Sequence, residues 1–264
     1  MERATQPGKV WLVGAGPGSA DLLTLRAARV LGQVDVWLID DLVGEEIHQH
    51  ARPDAVLEYV GKRGGRCSMR QADINERALA HALAGRSVAR VKGGDPTLFG
   101  RGGEELAYLA AHGIEVEIVN GLTSGMAAAQ SLGVGLTHRD FGHGVTFVTA
   151  HTADDGGPDW PALCASGTTL VIYMGMSRLA DIRDALCRAG KPADTPAAVV
   201  MNASRVDERQ WCGSLATLTD ALDAGLASPA IILVGGVLAH ARHPQPAAFA
   251  LPLAHATGDS LACC

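Results

Sequence analysis

Metal-binding cysteine spacing is missing from this chain: none of Cys67, Cys164, Cys187, Cys212, Cys263 and Cys264 forms a C-x-x-C pair, so no metal site is expected. Also missing are H-E-x-x-H, a Ser/His/Asp or Cys/His arrangement, and the Gly-Lys-Ser/Thr of a P-loop. Metal catalysis, hydrolysis through a covalent intermediate and phosphoryl transfer from ATP therefore gain no support. Positive charge is in deficit. Lysine plus arginine number 22 against 28 acidic residues, a formal net charge of −6, which argues against a general binder of nucleic acid or anionic membrane. The longest apolar run, near Ala230 to Ala239, is broken at Gly235-Gly236 and falls short of the ~18 residues a spanning helix needs. No apolar leader follows Met1-Glu2-Arg3, and a soluble protein of the reducing cytoplasm is the expectation. What is abundant is glycine: 32 residues in a chain of 264, without a G-x-y period, mean tight turns or close backbone approaches to a ligand.

Short β-branched runs alternate with stretches of helical period. Residues 10–13, 34–39, 88–92 and 115–119 read as strands, and 19–31, 103–112 and 126–132 as helices. Ser68-Met69-Arg70-Gln71 reads as a capping box opening a helix that runs to Leu83, and Gly113 closes the helix before it as a C′ residue. The aperiodic stretch after Gly135, with its glycines and charges, marks a joint at 137–144 between a domain at 1–136 and a second at 145–240. In the second, 145–149, 169–173, 197–201 and 230–234 read as strands and 178–188 and 215–224 as helices, and 241–264 is an irregular tail. The expected fold class is α/β, two α/β domains with a cleft between them, ligands lying beyond the carboxyl ends of strands.

Gly14-Ala15-Gly16-Pro17-Gly18-Ser19 has the strand-turn-helix setting of a dinucleotide fingerprint. Ser19 stands at its third glycine and Pro17 removes a backbone donor, so a tight turn competes with a nicotinamide-cofactor reading that Asp40 and Asp41 keep open. Gly93-Gly94-Asp95-Pro96 also ends a strand; either a ligand lies against its main chain with Asp95 as acceptor, or it is an ordinary turn. Arg101 and Glu104 are three apart at a helix start, the spacing of an exposed ion pair as well as of a binding pair. His138-Arg139, and Lys62-Arg63 with Arg66 and Arg70, are local basic clusters that suit a polyanion or a solvated loop. Thr123 and Ser124 suit a cap or a ligand contact, and Met174 a core position or a ligand contact.

Taken in order, Val10 to Gly18, Gly61-Lys62-Arg63, Gly93-Gly94-Asp95-Pro96, Phe99-Gly100-Arg101-Gly102-Gly103-Glu104-Glu105, Leu136-Thr137-His138-Arg139-Asp140, Tyr173-Met174-Gly175 and Pro229-Ala230 resemble the tetrapyrrole (corrin/porphyrin) methylase family over about residues 9–240. The F-G-R-G-G-E-E and T-H-R-D runs resemble its uroporphyrinogen branch. The resemblance implies a homodimer that holds S-adenosyl-L-methionine between its domains and releases it as S-adenosyl-L-homocysteine. It implies two methylations of uroporphyrinogen III, at C2 and C7, giving precorrin-2 for siroheme, cobalamin or heme d1. By motif position it implies cofactor contacts at Pro17, Gly93, Gly94, Asp95, Leu98, Thr123, Ser124, Met174, Ala203 and Ala230, and catalytic residues Arg101, Glu104 and Arg139 facing the tetrapyrrole. The alternatives are another precorrin C-methyltransferase, a diphthine synthase relative, or a non-catalytic S-adenosylmethionine-binding module. The chain departs from the family's usual pattern at Asp41, Thr97-Leu98, Asn120 and Ala150.

Overall fold

The structure, a computed structural model, describes residues 6–61, 69–151 and 157–241. The expected roles of Lys62, Arg63, Arg66 and Ser68, and the tail from 242, lie outside these residues. Two five-stranded sheets organise the rest. The first is parallel throughout and contains β1 (Val10–Gly14), β2 (Val36–Ile39), β3 (Val56–Tyr59), β4 (Val88–Lys92) and β5 (Val116–Val119), in the order β3-β2-β4-β1-β5. Its inner strands β2 and β4 are buried along their whole length; β2, V-W-L-I, reads as a continuous apolar run, whereas β4 carries Arg90 and Lys92. Helices α1 (Leu25–Leu31), α2 (Gln71–Leu83) and α3 (Gly102–Ala111) flank it.

The helix expected at 19–31 is shorter than its period indicates. Thr24 caps α1 by accepting from the Ala27 amide at 3.1 Å, and only a 3-10 turn, Ala20–Leu22, precedes it. Arg70 is the N-cap of α2 but makes no side-chain capping bond there. Strand β3 was illegible because V-L-E-Y lies half exposed at the sheet edge, with no buried face to pattern.

The second sheet contains β6 (Val145–Thr149), β7 (Thr169–Tyr173), β8 (Pro196–Met201), β9 (Arg209–Ser214) and β10 (Ala230–Val234), ordered β6-β7-β10-β8-β9. Only β6 and β7 are parallel; every other pairing is antiparallel. Strand β9, R-Q-W-C-G-S, is a polar edge strand without alternation and gives no signal in the sequence. The short helix α5 (Trp160–Ala165) is set by Asp159, which accepts from the Ala162 amide, and by a proline in its first turn. Helix α6 (Leu179–Arg188) matches its period, whereas 215–224 resolves into a 3-10 turn and a single helical turn, α7 (Asp220–Asp223), with Leu215, Leu218 and Ala221 turned into the core.

Helix α4 (Ser124–Ser131) follows the first sheet in sequence but packs on the second. Ala127, Ala128, Ala129 and Leu132 share a buried cluster with Val171, Tyr173, Val200 and Leu233. Small residues on α4 let it lie close to the sheet: a Cβ added at Gly125 would stand 2.6 Å from Val171 Cγ1. Helix α4, inside the segment expected as the first domain, thus packs with the second sheet. No helix among the described residues is long and apolar enough to cross a membrane.

Candidate active site

Along the carboxyl edge of the first sheet, two glycine turns are bonded to each other. The Ala15 amide donates to the Lys92 carbonyl at 2.8 Å, the Gly16 amide to the Gly94 carbonyl at 3.2 Å, and the Gly94 amide to the Gly16 carbonyl at 2.7 Å. Gly14, Gly94 and Gly121 meet backbone to backbone, and a Cβ on Gly14 would lie 2.5 Å from the Gly121 nitrogen. The amides of Ala15 and Gly16 therefore serve the neighbouring turn and not a pyrophosphate, which removes the nicotinamide-cofactor reading of this loop.

Beyond these turns, a cavity of about 510 Å3 opens between the halves. Pro17, Gly93, Gly94, Asp95, Leu98, Thr123 and Ser124 line it from one side, and Met174, Ala203 and Ala230 from the other. All ten positions expected to contact cofactor thus lie on one wall system. At Gly93 a Cβ would come 2.7 Å from Leu42 Cβ, and Gly94 has φ +70°, so the turn is open to a ligand only as glycine. The size suits a nucleoside carrying an amino-acid arm. Five non-glycine residues among those described have positive φ, namely Phe99, Arg101, Met174, Asn202 and Ser204. Phe99, Met174 and Asn202 line the cavity and the other two lie within two residues of the lining, a clustering of backbone strain at one site.

Asp95 accepts from the Thr97 amide at 2.8 Å and its hydroxyl at 2.5 Å through Oδ1, and from Asn120 Nδ2 at 3.2 Å and the Gly121 amide at 3.0 Å through Oδ2. Burial opposes its ionisation, but the bonds from Thr97, Asn120 and Gly121 outweigh it and hold the carboxyl below its ordinary range. Two departures from the family pattern, Thr97 and Asn120, thus converge on this one carboxylate. Thr123 makes no capping bond with α4; its hydroxyl bonds the Tyr173 hydroxyl at 2.6 Å, and that hydroxyl accepts from the Gly125 amide at 2.8 Å. Burial pushes the Tyr173 hydroxyl above its ordinary pKa, so it stays a neutral tether between α4 and β7.

Beneath the glycine turn lies a buried charge network that sequence reasoning missed. Glu105 Oε1 accepts from Arg90 Nε at 3.1 Å, Lys92 Nζ at 3.0 Å and Gln71 Nε2 at 2.9 Å. Its Oε2 stands 2.9 Å from Lys92 Nζ, a Coulombic contact that lacks hydrogen-bond alignment. Arg90 NH2 also faces Asp40 Oδ2 at 3.5 Å. Burial, then the Arg90 charge, lower the pKa of Lys92 against the pull of Glu105 and Asp40. Lys92 and Asp40 both reach the cavity wall. The signal in the sequence was a lysine and an arginine inside an otherwise apolar strand, V-A-R-V-K, whose charges demand a buried partner.

The three residues expected at the tetrapyrrole are not on that wall. Arg101 adjoins it after Gly100 and is paired to Glu104, Nε to Oε1 at 3.0 Å and NH2 to Oε2 at 2.6 Å, with both side chains more than half exposed. Arg139 is exposed in the turn closed by the bridge between His138 and Gly142. His151, Leu42, Phe99, Tyr173, Asn202 and Arg205 line the cavity without having been expected there.

The family model for Tetrapyrrole (Corrin/Porphyrin) Methylases matches residues 9–219. A relative called uroporphyrinogen-III C-methyltransferase, from Pseudomonas aeruginosa, is 52% identical over 231 residues, covering 87% of this chain and 94% of its own. A siroheme synthase from Chromobacterium violaceum is 48% identical over 237 residues, and the chain spans about half that relative's length, 50%. Among solved structures, uroporphyrin-III C-methyl transferase from Thermus thermophilus complexed with S-adenyl homocysteine superposes with TM-score 0.77 at 38% identity, covering 91% of this chain and 98% of its own.

Proposed function

The chain belongs to the tetrapyrrole (corrin/porphyrin) methylases, and we propose from that premise that it is an S-adenosylmethionine-dependent uroporphyrinogen-III C-methyltransferase. It would methylate C2 and C7 to give precorrin-2, the precursor of siroheme, cobalamin or heme d1. The observation that carries the reading is the cavity itself: the ten motif positions meet around a glycine turn that a Cβ would obstruct. Bound S-adenosylmethionine supplies a methyl group on a sulfonium, activated before any residue acts on it.

The protein's share is then alignment, exclusion of water and disposal of a proton. Gly93 and Gly94 let a ligand rest on the main chain, while Leu42, Leu98, Phe99 and Met174 give an apolar surround. Only two carboxylates line the wall among the described residues, Asp40 and Asp95. Asp95 is occupied by four bonds within its own turns. Among the described residues the Asp40 carboxylate forms one ion pair, with Arg90 at 3.5 Å, and it is our candidate for the group that takes the proton released when the new carbon–carbon bond forms. Arg101 is a guanidinium and stays protonated, so its proposed task is to meet substrate carboxylates, with Glu104 orienting its fork. Arg139, exposed, would serve the same eight-carboxylate substrate. The Arg101 bond holds the Glu104 carboxyl below its ordinary range, which suits an orienting partner better than a base.

We place the enzyme in the cytoplasm as a homodimer, on the family resemblance; light scattering tests the assembly by a mass near twice 27.3 kDa. The reaction is tested by anaerobic incubation with S-adenosylmethionine and uroporphyrinogen III, followed by mass analysis of the tetrapyrrole. Two added methyl groups, lost in Asp40→Asn and Arg101→Ala, are expected. Nucleoside binding without methyl transfer would leave a binding module or a different tetrapyrrole as substrate.

A further inference from the structure

Two long cationic side chains, Lys92 and Arg205, reach the cavity wall, and they differ in what neutralises them. Lys92 is matched by Glu105 on the buried side, at 2.9 Å. Arg205 meets no carboxylate among the described residues. It belongs to the second half, in the turn after β8, and it crosses to the first. Its NH2 donates to the Leu42 carbonyl at 2.5 Å, between residues 163 apart in sequence. Its stem passes over Gly18 so closely that a Cβ there would stand 2.4 Å from Arg205 Cγ. Beside it, Ser204 Oγ accepts from the Ser19 amide at 3.3 Å.

The turn that presents Arg205 is held in an uncommon shape. Asn202 and Ser204 have φ +52° and +66°, with Asn202 Nδ2 bonded to Asp207 at 2.7 Å and the Ser204 amide to Glu208 at 2.7 Å. Both nearby acids are therefore engaged in shaping the turn and leave the guanidinium to one carbonyl. A guanidinium has five N–H donors in a planar fork, and a carbonyl takes one. Arg205 lines the cavity, and among the described residues no carboxylate pairs with its remaining donors, the arrangement of a carboxylate receptor.

Resting on the methyltransferase reading, we propose that Arg205 anchors a carboxylate of a ligand in the cleft, so that ligand binding ties the second half to the loop carrying Asp40 and Leu42. Two sources offer that chemistry: the amino-acid end of the cofactor and the acidic side chains of the tetrapyrrole. Calorimetric titration of the full chain with S-adenosylhomocysteine and with methylthioadenosine, which lacks the amino-acid arm, separates them. If the cofactor supplies the carboxylate, Arg205→Gln weakens S-adenosylhomocysteine about tenfold or more and leaves methylthioadenosine within about twofold. Arg205→Lys recovers part of the loss. If the tetrapyrrole supplies it, nucleoside affinities hold while KM for uroporphyrinogen rises by a similar factor at unchanged kcat. Equal weakening of both nucleosides, as from a sprung turn, or no change in any of these quantities, overturns the proposal. Wild-type protein that binds neither nucleoside overturns instead the methyltransferase reading beneath it.

Discussion

The two halves build their walls of the cavity by different means, although Phe99 on the first wall shares the left-handed φ of Met174 and Asn202 on the second. The first half brings main chain to the ligand space: Gly93 and Gly94 at the end of β4, braced by the turn at Gly16. The second half brings side chains on left-handed turns, Met174 after β7 and Asn202 after β8, at φ +56° and +52°. A parallel sheet aligns its carboxyl ends on one edge, where glycine admits a ligand against the backbone. A mostly antiparallel sheet offers fewer such ends, and its wall includes ordinary residues bent into an unfavourable region. The halves also differ beneath the wall. All the buried charged residues among those described, Arg90, Lys92 and Glu105, belong to the first half.

That contrast predicts the largest effect. Glu105→Ala leaves Arg90 and Lys92 buried without their shared partner and is expected to cost about 3–5 kcal/mol in urea unfolding. Thr169→Val, an equally buried polar position in the second sheet, should cost under about 1.5 kcal/mol. Equal costs would mean that the charge network does not distinguish the halves. Next in size is the wall itself. Gly93→Ala drives a Cβ to 2.7 Å from Leu42 and should cost about 1–3 kcal/mol, with weaker S-adenosylhomocysteine binding. Asn202→Gly relieves a left-handed residue while loosening the unfolded chain, so its stability should stay within about 1 kcal/mol of wild type. A tolerant Gly93 and an intolerant Asn202 would reverse the account of the two walls.

Much of this was legible in the sequence, and the boundary of legibility is physical. Strands β1, β7 and β10 announce themselves because burial makes them apolar, and the cavity positions because the motif order fixes them. Strands β3 and β9 did not, since V-L-E-Y and R-Q-W-C-G-S are partly exposed and neither apolar throughout nor alternating. The membership of α4 was illegible for another reason: its period states that it has a buried face, not which sheet covers it. Arg205 was missed because its contact with Leu42 joins residues far apart in sequence, and Asp95 was seen as an acceptor without the four donors that occupy it.

Asp95 gives a smaller, pH-dependent effect on the first wall. Its carboxyl is held below its ordinary range, so the folded state binds the proton less readily than the unfolded chain. The resulting stabilisation is complete above the unfolded value and is lost as pH falls through the folded one. Unfolding curves of wild type and Asp95→Asn should therefore differ by a constant amount at neutral pH and converge in acid below 3.8. A difference that stays constant into acid would show that the bonds of Thr97 and Asn120 do not favour the ionised form. Removing Thr97 and Asn120 together, as Thr97→Val with Asn120→Ala, should shift the convergence toward higher pH.

The smallest change in stability is expected outside the cavity, at Arg101. Its pair with Glu104 is more than half exposed on both sides, and such pairs contribute at most about 1 kcal/mol. Arg101 nonetheless follows Gly100 on the wall and sits at φ +57°, a conformation that a surface ion pair does not require. The strain makes sense if the guanidinium must stand at the cavity mouth, oriented by both oxygens of Glu104, to receive carboxylates of a tetrapyrrole. Arg101→Ala should then leave the urea midpoint nearly unchanged and S-adenosylhomocysteine affinity intact while methyl transfer falls steeply. Arg101→Lys, which keeps the charge but loses the fork, should recover little of that activity. Full turnover in Arg101→Lys would reduce the position to a point charge, and full turnover in Arg101→Ala would return the pair to the ordinary surface ion pair that its spacing first suggested.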